Sequence, residues 1–167
     1  MASVATRITA DCIKPGDLLP TLRVPITATT VVMGASATRD WQPQHHDRAW
    51  AIERARARDI FLNTPTQAGW ISRYITDWTG MTGRLGRVNF RMKSTICPGD
   101  LMVMTGVVKR VFADVAAGHW VELTIDLKVD EVLATTCTAS VSVPASVGAE
   151  SPWQRKADRW RLPSLEG

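Results

Sequence analysis

The sequence predicts an α+β domain in which an antiparallel sheet wraps around one long central helix. Two observations lead to this prediction. Residues 67–79 carry apolar side chains at helical spacing, so one broad face of a helix should be buried. After Gly80 the apolar period changes from helical to strand-like, and several alternating segments follow one another. A long helix followed by a run of strands is typical of a fold whose helices lie on one side of an antiparallel sheet.

Length and composition indicate one ordinary domain. The chain has 167 residues, of which 45% are hydrophobic and 22% charged. The formal net charge is +4, but the basic residues form no stripe and do not alternate with aromatics, so no nucleic-acid partner is predicted. Three separated cysteines without a CxxC pair argue against a disulfide scaffold or a metal site. Without a signal-like or membrane-spanning apolar run, we expect a cytoplasmic protein that does not enter a membrane.

Three regions follow from changes in composition. We predict a short leader over residues 1–14, the folded domain over residues 15–145, and a tail over residues 146–167. The tail is basic and contains Trp153 and Trp160. A frayed terminus and a segment docked on the core or on a partner are both compatible with it, since tryptophan is enriched at interfaces.

The N-terminal half predicts a strand and two short helices. Residues 18–27 have strand character, and Thr29 or Thr30 is a suitable N-cap for a helix running towards Asp40. A second short helix over residues 47–57 begins with Asp47 as its N-cap.

The central helix and the strands come next along the chain. The helix over residues 67–79 ends at Gly80, a residue type suited to the position after a helix. Its apolar face consists of Trp70, Ile71, Tyr74, Ile75 and Trp78. Four strands are predicted after it, over residues 88–93, 101–112, 119–129 and 134–144.

An acid and an imidazole, Asp40 and His45, stand five residues apart across a proline turn at the end of the first predicted helix. Such a turn can bring two side chains together and leave them open to a ligand. One group can then activate water as a base while the other donates a proton. The spacing alone is a weak signal, because an aspartate near a helix end is common.

The same segment resembles the signature of the MaoC-like hydratases of the R-hydratase type, D-x-N-P-x-H, with Gln42 in the Asn position. The wider pattern is similar to the small MaoC-like subunit of two-component enoyl-CoA hydratases in actinobacterial steroid side-chain degradation. It comprises Ala37-Thr38-Arg39-Asp40-Trp41-Gln42, His45-His46-Asp47-Arg48, Asp59-Ile60-Phe61-Leu62-Asn63 and Arg73-Tyr74-Ile75-Thr76-Asp77-Trp78.

This resemblance implies a hot-dog fold that adds water to a 2-enoyl-CoA, with a steroid or another bulky acyl chain. It implies Asp40 and His45 as the catalytic residues, and it leaves open which of them is the base. It also implies a backbone N–H donor for the thioester oxygen at Gly69, where free N–H groups at a helix start would favour an anion. No cofactor is expected beyond the coenzyme A of the substrate. The expected assembly is a homodimer or a heteromer with a second MaoC-like chain.

Three further residues are candidates for substrate binding. Arg91 and Lys93 lie on a strand and suit contact with the phosphates of coenzyme A, and Trp41 suits the acyl pocket. Of the two adjacent histidines, the motif spacing selects His45, and His46 should face elsewhere because consecutive side chains of an extended turn diverge.

Two other functions remain open. A hot-dog acyl-CoA thioesterase usually attacks through a carboxylate on the central helix, and that helix offers only Asp77, near its end. A non-catalytic acyl-CoA-binding subunit of a larger complex has no need of both Asp40 and His45.

Overall fold

The structure is a computed structural model that describes residues 8–157 and 159–163, and it confirms the predicted α+β layout. The strands are Leu18–Pro25 (β1), Arg84–Met92 (β2), Leu101–Asp114 (β3), Gly118–Val129 (β4) and Val132–Ser142 (β5). The helices are Ala28–Ala37 (α1), Arg48–Glu53 (α2) and Thr64–Thr79 (α3). All strand pairs are antiparallel, in the order β1-β3-β4-β5-β2. None of the described helices is long and apolar enough to cross a bilayer.

Helix α3 is the centre of the core. The side chains of Ile71, Tyr74 and Ile75 are buried against the sheet, as the apolar spacing predicts, whereas Trp70 and Trp78 are only partly buried. Gly80 ends the helix with a φ of 66°, as predicted.

The beginning of α3 differs from the prediction. The helix starts at Thr64 and not at Gln67, because the side-chain oxygen of Asn63 accepts the N–H of Thr66 at 3.0 Å. Pro65 then occupies the first turn, where its missing N–H costs no helical hydrogen bond.

Local capping explains the other two helices. Asp47 caps α2 as predicted, accepting the N–H of Trp50 at 3.0 Å. The prediction that Thr29 or Thr30 caps α1 is wrong. Thr27 is the cap, because its hydroxyl accepts the N–H of Thr30 at 3.0 Å while the Thr30 hydroxyl accepts the N–H of Thr27.

The strands run beyond their predicted limits where turns are tight. β4 and β5 are joined by Asp130 and Glu131, which have φ values of 48° and 64°. Two successive residues with positive φ suit the twist of a tight hairpin, although neither is glycine.

Both ends of the described chain pack on the domain. Near the N-terminus, the N–H of Ala10 donates to the carbonyl of Pro144 at 2.9 Å, so part of the predicted leader lies against the end of β5. Residues 1–7 lie outside the described residues. The boundaries of leader, domain and tail stay predictions.

The tail docks beside the start of β2 through its two tryptophans. The indole N–H of Trp153 donates to the carbonyl of Gly83 at 2.8 Å. The guanidinium of Arg84 lies 5.1 Å from the Trp153 ring centroid and 3.7 Å from that of Trp160. The Trp160 ring in turn lies 5.3 Å from the fully buried ring of Trp120. The sequence left open whether the tail is frayed or docked. The described part of the tail is docked on the core.

We predict that Trp160→Ala lowers the free energy of unfolding by about 2 kcal/mol, because it uncovers Trp120 and removes the closer cation–π contact of Arg84. Urea unfolding followed by far-UV circular dichroism measures the loss. The matched control is Trp41→Ala, since the Trp41 side chain is exposed and its loss should change stability by less than about 0.5 kcal/mol. Equal effects of the two substitutions would show that the tail does not stabilise the domain.

Candidate active site

The end of α1 determines where Asp40 lies. The N–H of Asp40 donates to the carbonyl of Ala35 at 2.9 Å, and the N–H of Arg39 donates to Ser36 at 3.1 Å. These two bonds form a Schellman cap, in which Arg39 takes the left-handed position with a φ of 54°. Asp40 is therefore held by the last turn of the helix.

His45 is placed by the next turn of the chain. Residues Pro43–His45 form a single 3-10 turn, in which the N–H of His45 donates to the carbonyl of Gln42 at 3.1 Å. Pro43 suits this turn because its fixed φ favours a helical start. The His45 side chain is directed inwards and is only 6% exposed.

The structure brings Asp40 and His45 together, with the Asp40 Oδ2 atom 3.5 Å from the His45 Nε2 atom. The other ring nitrogen, Nδ1, lies 2.7 Å from the carbonyl oxygen of Phe61. A carbonyl only accepts hydrogen bonds, so Nδ1 carries the proton and donates it. In the neutral imidazole, Nε2 is therefore an unprotonated acceptor beside the carboxylate.

Asn63 connects this pair to α3. Its amide nitrogen donates to Asp40 Oδ2 at 2.9 Å and to the Thr38 hydroxyl at 2.8 Å, while its amide oxygen caps the helix. The hydrogen bond from Asn63 lowers the pKa of Asp40 below its usual value of 3.8, assisted by the N–H of Gln42 and by the positive charge that His45 carries when it is protonated, and opposed by partial burial. Asp40 is thus a carboxylate at neutral pH.

A cavity of about 400 Å³ lies beside His45. Asn63 and Thr64, at the start of α3, line this cavity, as do Gln67 and Lys93. The backbone N–H groups of Asn63 and Thr64 make no hydrogen bond to another described residue. Because the N-terminal N–H groups of a helix carry partial positive charge, this end of the cavity suits an anionic oxygen.

The prediction that Gly69 supplies the N–H donor is wrong. α3 begins five residues earlier, so Gly69 lies in the second turn, where its N–H belongs to the helical ladder. Gly69 lines a different, more open groove together with Gly34 on α1 and does not reach the cavity beside His45. The free donors belong to Asn63 and Thr64.

The three predicted substrate-binding residues lie apart from one another. Lys93 lines the cavity. Arg91 lies outside it, beside a smaller depression over β2 and β5. Trp41 is 68% exposed and does not line the cavity, so the expectation that it forms an acyl pocket has no support within this chain.

Three residues of the site were not singled out from the sequence, namely Asn63, Thr64 and Gln67. A signal for two of them was present. Asn63-Thr64-Pro65 has an N-cap residue two positions before a proline, which is typical of a helix start. Gln67 had no comparable signal, because a single polar residue in a helical segment does not reveal what it faces.

Comparisons with individual known proteins point to one family, although no whole-family model does. No family model matches the chain. Over 96 residues it is 35% identical to the 3-oxo-4,17-pregnadiene-20-carboxyl-CoA hydratase beta subunit of Mycobacterium tuberculosis, covering 58% of this chain and 74% of that protein.

Solved structures share the fold. The crystal structure of the ChsH1-ChsH2 complex from Mycobacterium tuberculosis contains a chain that matches with a TM-score of 0.71 and 28% identity, covering 78% of this chain and 98% of that one. The MaoC-like dehydratase from Rhodospirillum rubrum matches with a TM-score of 0.70 and 17% identity, covering 81% and 96%. The fold is therefore the hot-dog fold, as the resemblance implied. With the sequence likeness to the hydratase subunit, this shows that the chain belongs to the family of MaoC-like hydratases.

Proposed function

We propose that the chain is a catalytic hydratase subunit, which adds water across the double bond of a 2-enoyl-CoA thioester or removes it in reverse. One observation carries the proposal. Asp40 Oδ2 and His45 Nε2 are two hydrogen-bond acceptors only 3.5 Å apart, and His45 lines a cavity. A water molecule beside the pair can donate one proton to each acceptor, and water is the smallest donor with two protons.

The first step uses that water. Its two protons point at the carboxylate and at Nε2, so its oxygen lone pair is directed at C3 of the enoyl group. As the O–C3 bond forms, one water proton passes to the pair and the π electrons of the double bond move towards the thioester oxygen. Asp40 and His45 act as one coupled unit, and which of them takes the proton remains open.

The second step returns the proton. The negative charge on the thioester oxygen is stabilised by the free N–H groups of Asn63 and Thr64 at the start of α3. The enolate then collapses, and C2 takes the proton held by the pair. The hydroxyl remains on C3, and Asp40 and His45 recover their starting protonation. The reaction needs no cofactor beyond the coenzyme A that the substrate carries.

For the substrate, we propose a bulky acyl-CoA. The relative from Mycobacterium tuberculosis is named for a pregnadiene carboxyl-CoA, and this chain shares 35% identity with it. Lys93, at the cavity, supports binding of the anionic coenzyme A part by charge. Arg91 and Trp41 are exposed on the surface of this chain. We propose that they contact the substrate only where a second chain completes the binding site.

We further propose that the active form is a dimer, either of two copies or with a second MaoC-like chain. That relative is a beta subunit, and a matched structure is a two-protein complex. Within the described residues, β2 pairs only with β5, so its outer edge is free to contact another chain. Because Met92 and Lys93 at the end of β2 line the cavity, a chain bound there would also border the substrate.

The thioesterase alternative has less support. The residues of α3 that line the cavity, Thr64 and Gln67, offer no carboxylate. Asp77 lies in the last turn of α3, where it forms an exposed ion pair with Arg73 at 3.2 Å. Asp77 is therefore at the opposite end of α3 from the cavity that His45 lines. A carboxylate there cannot attack a thioester bound in that cavity.

We predict that Asp40→Asn and His45→Gln each lower the rate of hydration by at least about 100-fold, because each removes one of the two acceptors that hold the water. The assay follows the ultraviolet absorbance of the enoyl thioester and the product mass for short, long and steroidal enoyl-CoAs. The matched control is His46→Gln, since His46 is exposed and its ring nitrogen lies 3.4 Å from the carbonyl oxygen of Trp41. It should keep activity within about threefold of wild type.

Each variant is assayed as the chain alone and together with a second MaoC-like chain. Activity of Asp40→Asn or His45→Gln within tenfold of wild type would refute the catalytic assignment. Hydration by the assembly that is unaffected by both substitutions would mean that the partner carries the catalytic groups.

A further prediction concerns the pKa of Asp40. Asn63→Ser retains a helix cap but removes the amide donor, so the pKa of Asp40 should rise towards 3.8. Carboxyl ¹³C NMR of labelled aspartate against pH measures it directly. Because the lowered pKa stabilises the fold above the unfolded-state value, the stability difference between wild type and variant should be full at neutral pH and shrink below pH 3.8. An unchanged pKa would show that Asn63 does not control the charge of Asp40.

A further inference from the structure

Gln67 is a buried amide in a position where the rest of the helix face is apolar. It lies on the same face of α3 as Ile71, Tyr74 and Ile75, but one turn closer to the helix start, where this face meets the cavity. Its side chain is only 1% exposed. A buried amide that serves only to fill space is disfavoured, because an apolar side chain of the same size needs no hydrogen-bond partners.

The amide oxygen of Gln67 has a buried hydrogen-bond partner. The hydroxyl of Thr135, which is fully buried on β5, donates to the amide oxygen of Gln67 at 2.7 Å. The amide nitrogen makes no hydrogen bond to a described residue, yet it is not among the fully enclosed polar atoms without a partner. The nitrogen is therefore accessible from the cavity that Gln67 lines, and its two N–H groups are free for a ligand.

The position of Gln67 along the helix suggests what it binds. Side chains of a helix lean towards its N-terminus, so the amide extends towards the first turn. The free backbone N–H groups of Asn63 and Thr64 lie in that turn. The three residues that carry these donors line the same cavity as His45, which lies 3.5 Å from Asp40.

We propose that Gln67 is a side-chain donor to the thioester oxygen of the substrate, and that Thr135 is the positioning residue that orients it. This inference rests on the proposed hydratase function. The amide N–H binds the carbonyl oxygen of the bound thioester and binds it more strongly as the oxygen becomes an enolate. Gln67 transfers no proton. Its effect is to stabilise charge, and a fixed amide does so without reorienting during the reaction.

The kinetic test uses the active assembly of full-length chains. Gln67→Met retains side-chain volume and removes the donor, so kcat should fall about 100-fold while KM changes by less than about threefold. Thr135→Val should lower kcat less, since it only frees the amide to rotate, and Thr135→Ser should restore it because the hydroxyl is kept. Thermal unfolding of each variant shows that the fold is intact. A kcat of folded Gln67→Met within threefold of wild type would overturn the proposal.

A spectroscopic test separates this proposal from the hydratase function itself. A saturated acyl-CoA labelled with ¹³C at the thioester carbon binds without reacting, and infrared difference spectra report its C=O stretch. A donor to the oxygen lowers that frequency, so the stretch should be lower on wild type than on Gln67→Met. The same frequency on both proteins would refute the role of Gln67, even if hydration is observed. A shift on wild type without any hydration would support Gln67 and refute the hydratase function.

Discussion

The geometry of the site depends on the side chain of Asn63. This amide makes three hydrogen bonds, two as a donor and one as an acceptor. Its oxygen caps α3 and its nitrogen donates to both Asp40 and Thr38. The central helix and the segment after α1 are thereby joined through one buried group. Since Thr38 also donates to the carbonyl of Gly34, the network extends into the last turn of α1. The position and the charge of Asp40 consequently have a common cause, which is the start of the helix that forms the core.

His45 is held by the same short stretch of chain. The carbonyl of Phe61 accepts the hydrogen bond from Nδ1, and the Phe61 ring packs against the imidazole in a T-shaped arrangement with the centroids 5.0 Å apart. Leu62 ties this stretch to the domain through its N–H, which donates to the carbonyl of Ile96 at 2.9 Å. The two side chains proposed as catalytic come from one loop, and their anchors come from residues 61–63. The distance between Asp40 and His45 is therefore determined by one extended segment, residues 61–63. It does not depend on the mobility of the loop.

The sequence predicted those features that local chemistry decides. Helix periodicity located α3, and a capping aspartate located α2. It failed where a long-range contact decides. The sequence carried a local signal for Asn63 as a helix cap, but none for its contacts with Thr38 and Asp40, which are 25 and 23 residues away. Gly69 was assigned as a donor from the resemblance and from the predicted helix start at residue 67. Neither the exposure of Trp41 nor the docking of the tail on residues 83 and 84 has a local signal.

The loop between α1 and α2 also shows how irregular chain can be rigid. The Schellman cap at Asp40, the 3-10 turn at Pro43 and the cap by Asp47 follow one another directly, so most backbone N–H groups of the loop have an acceptor nearby. The cost is the left-handed backbone of Arg39, about 1 kcal/mol for a residue that is not glycine. Strain of this kind persists only where the surroundings determine the conformation completely. Here the two hydrogen bonds of the Schellman cap determine it, and one of them is donated by the N–H of Asp40, so the strained residue and the proposed catalytic residue are consecutive for a physical reason.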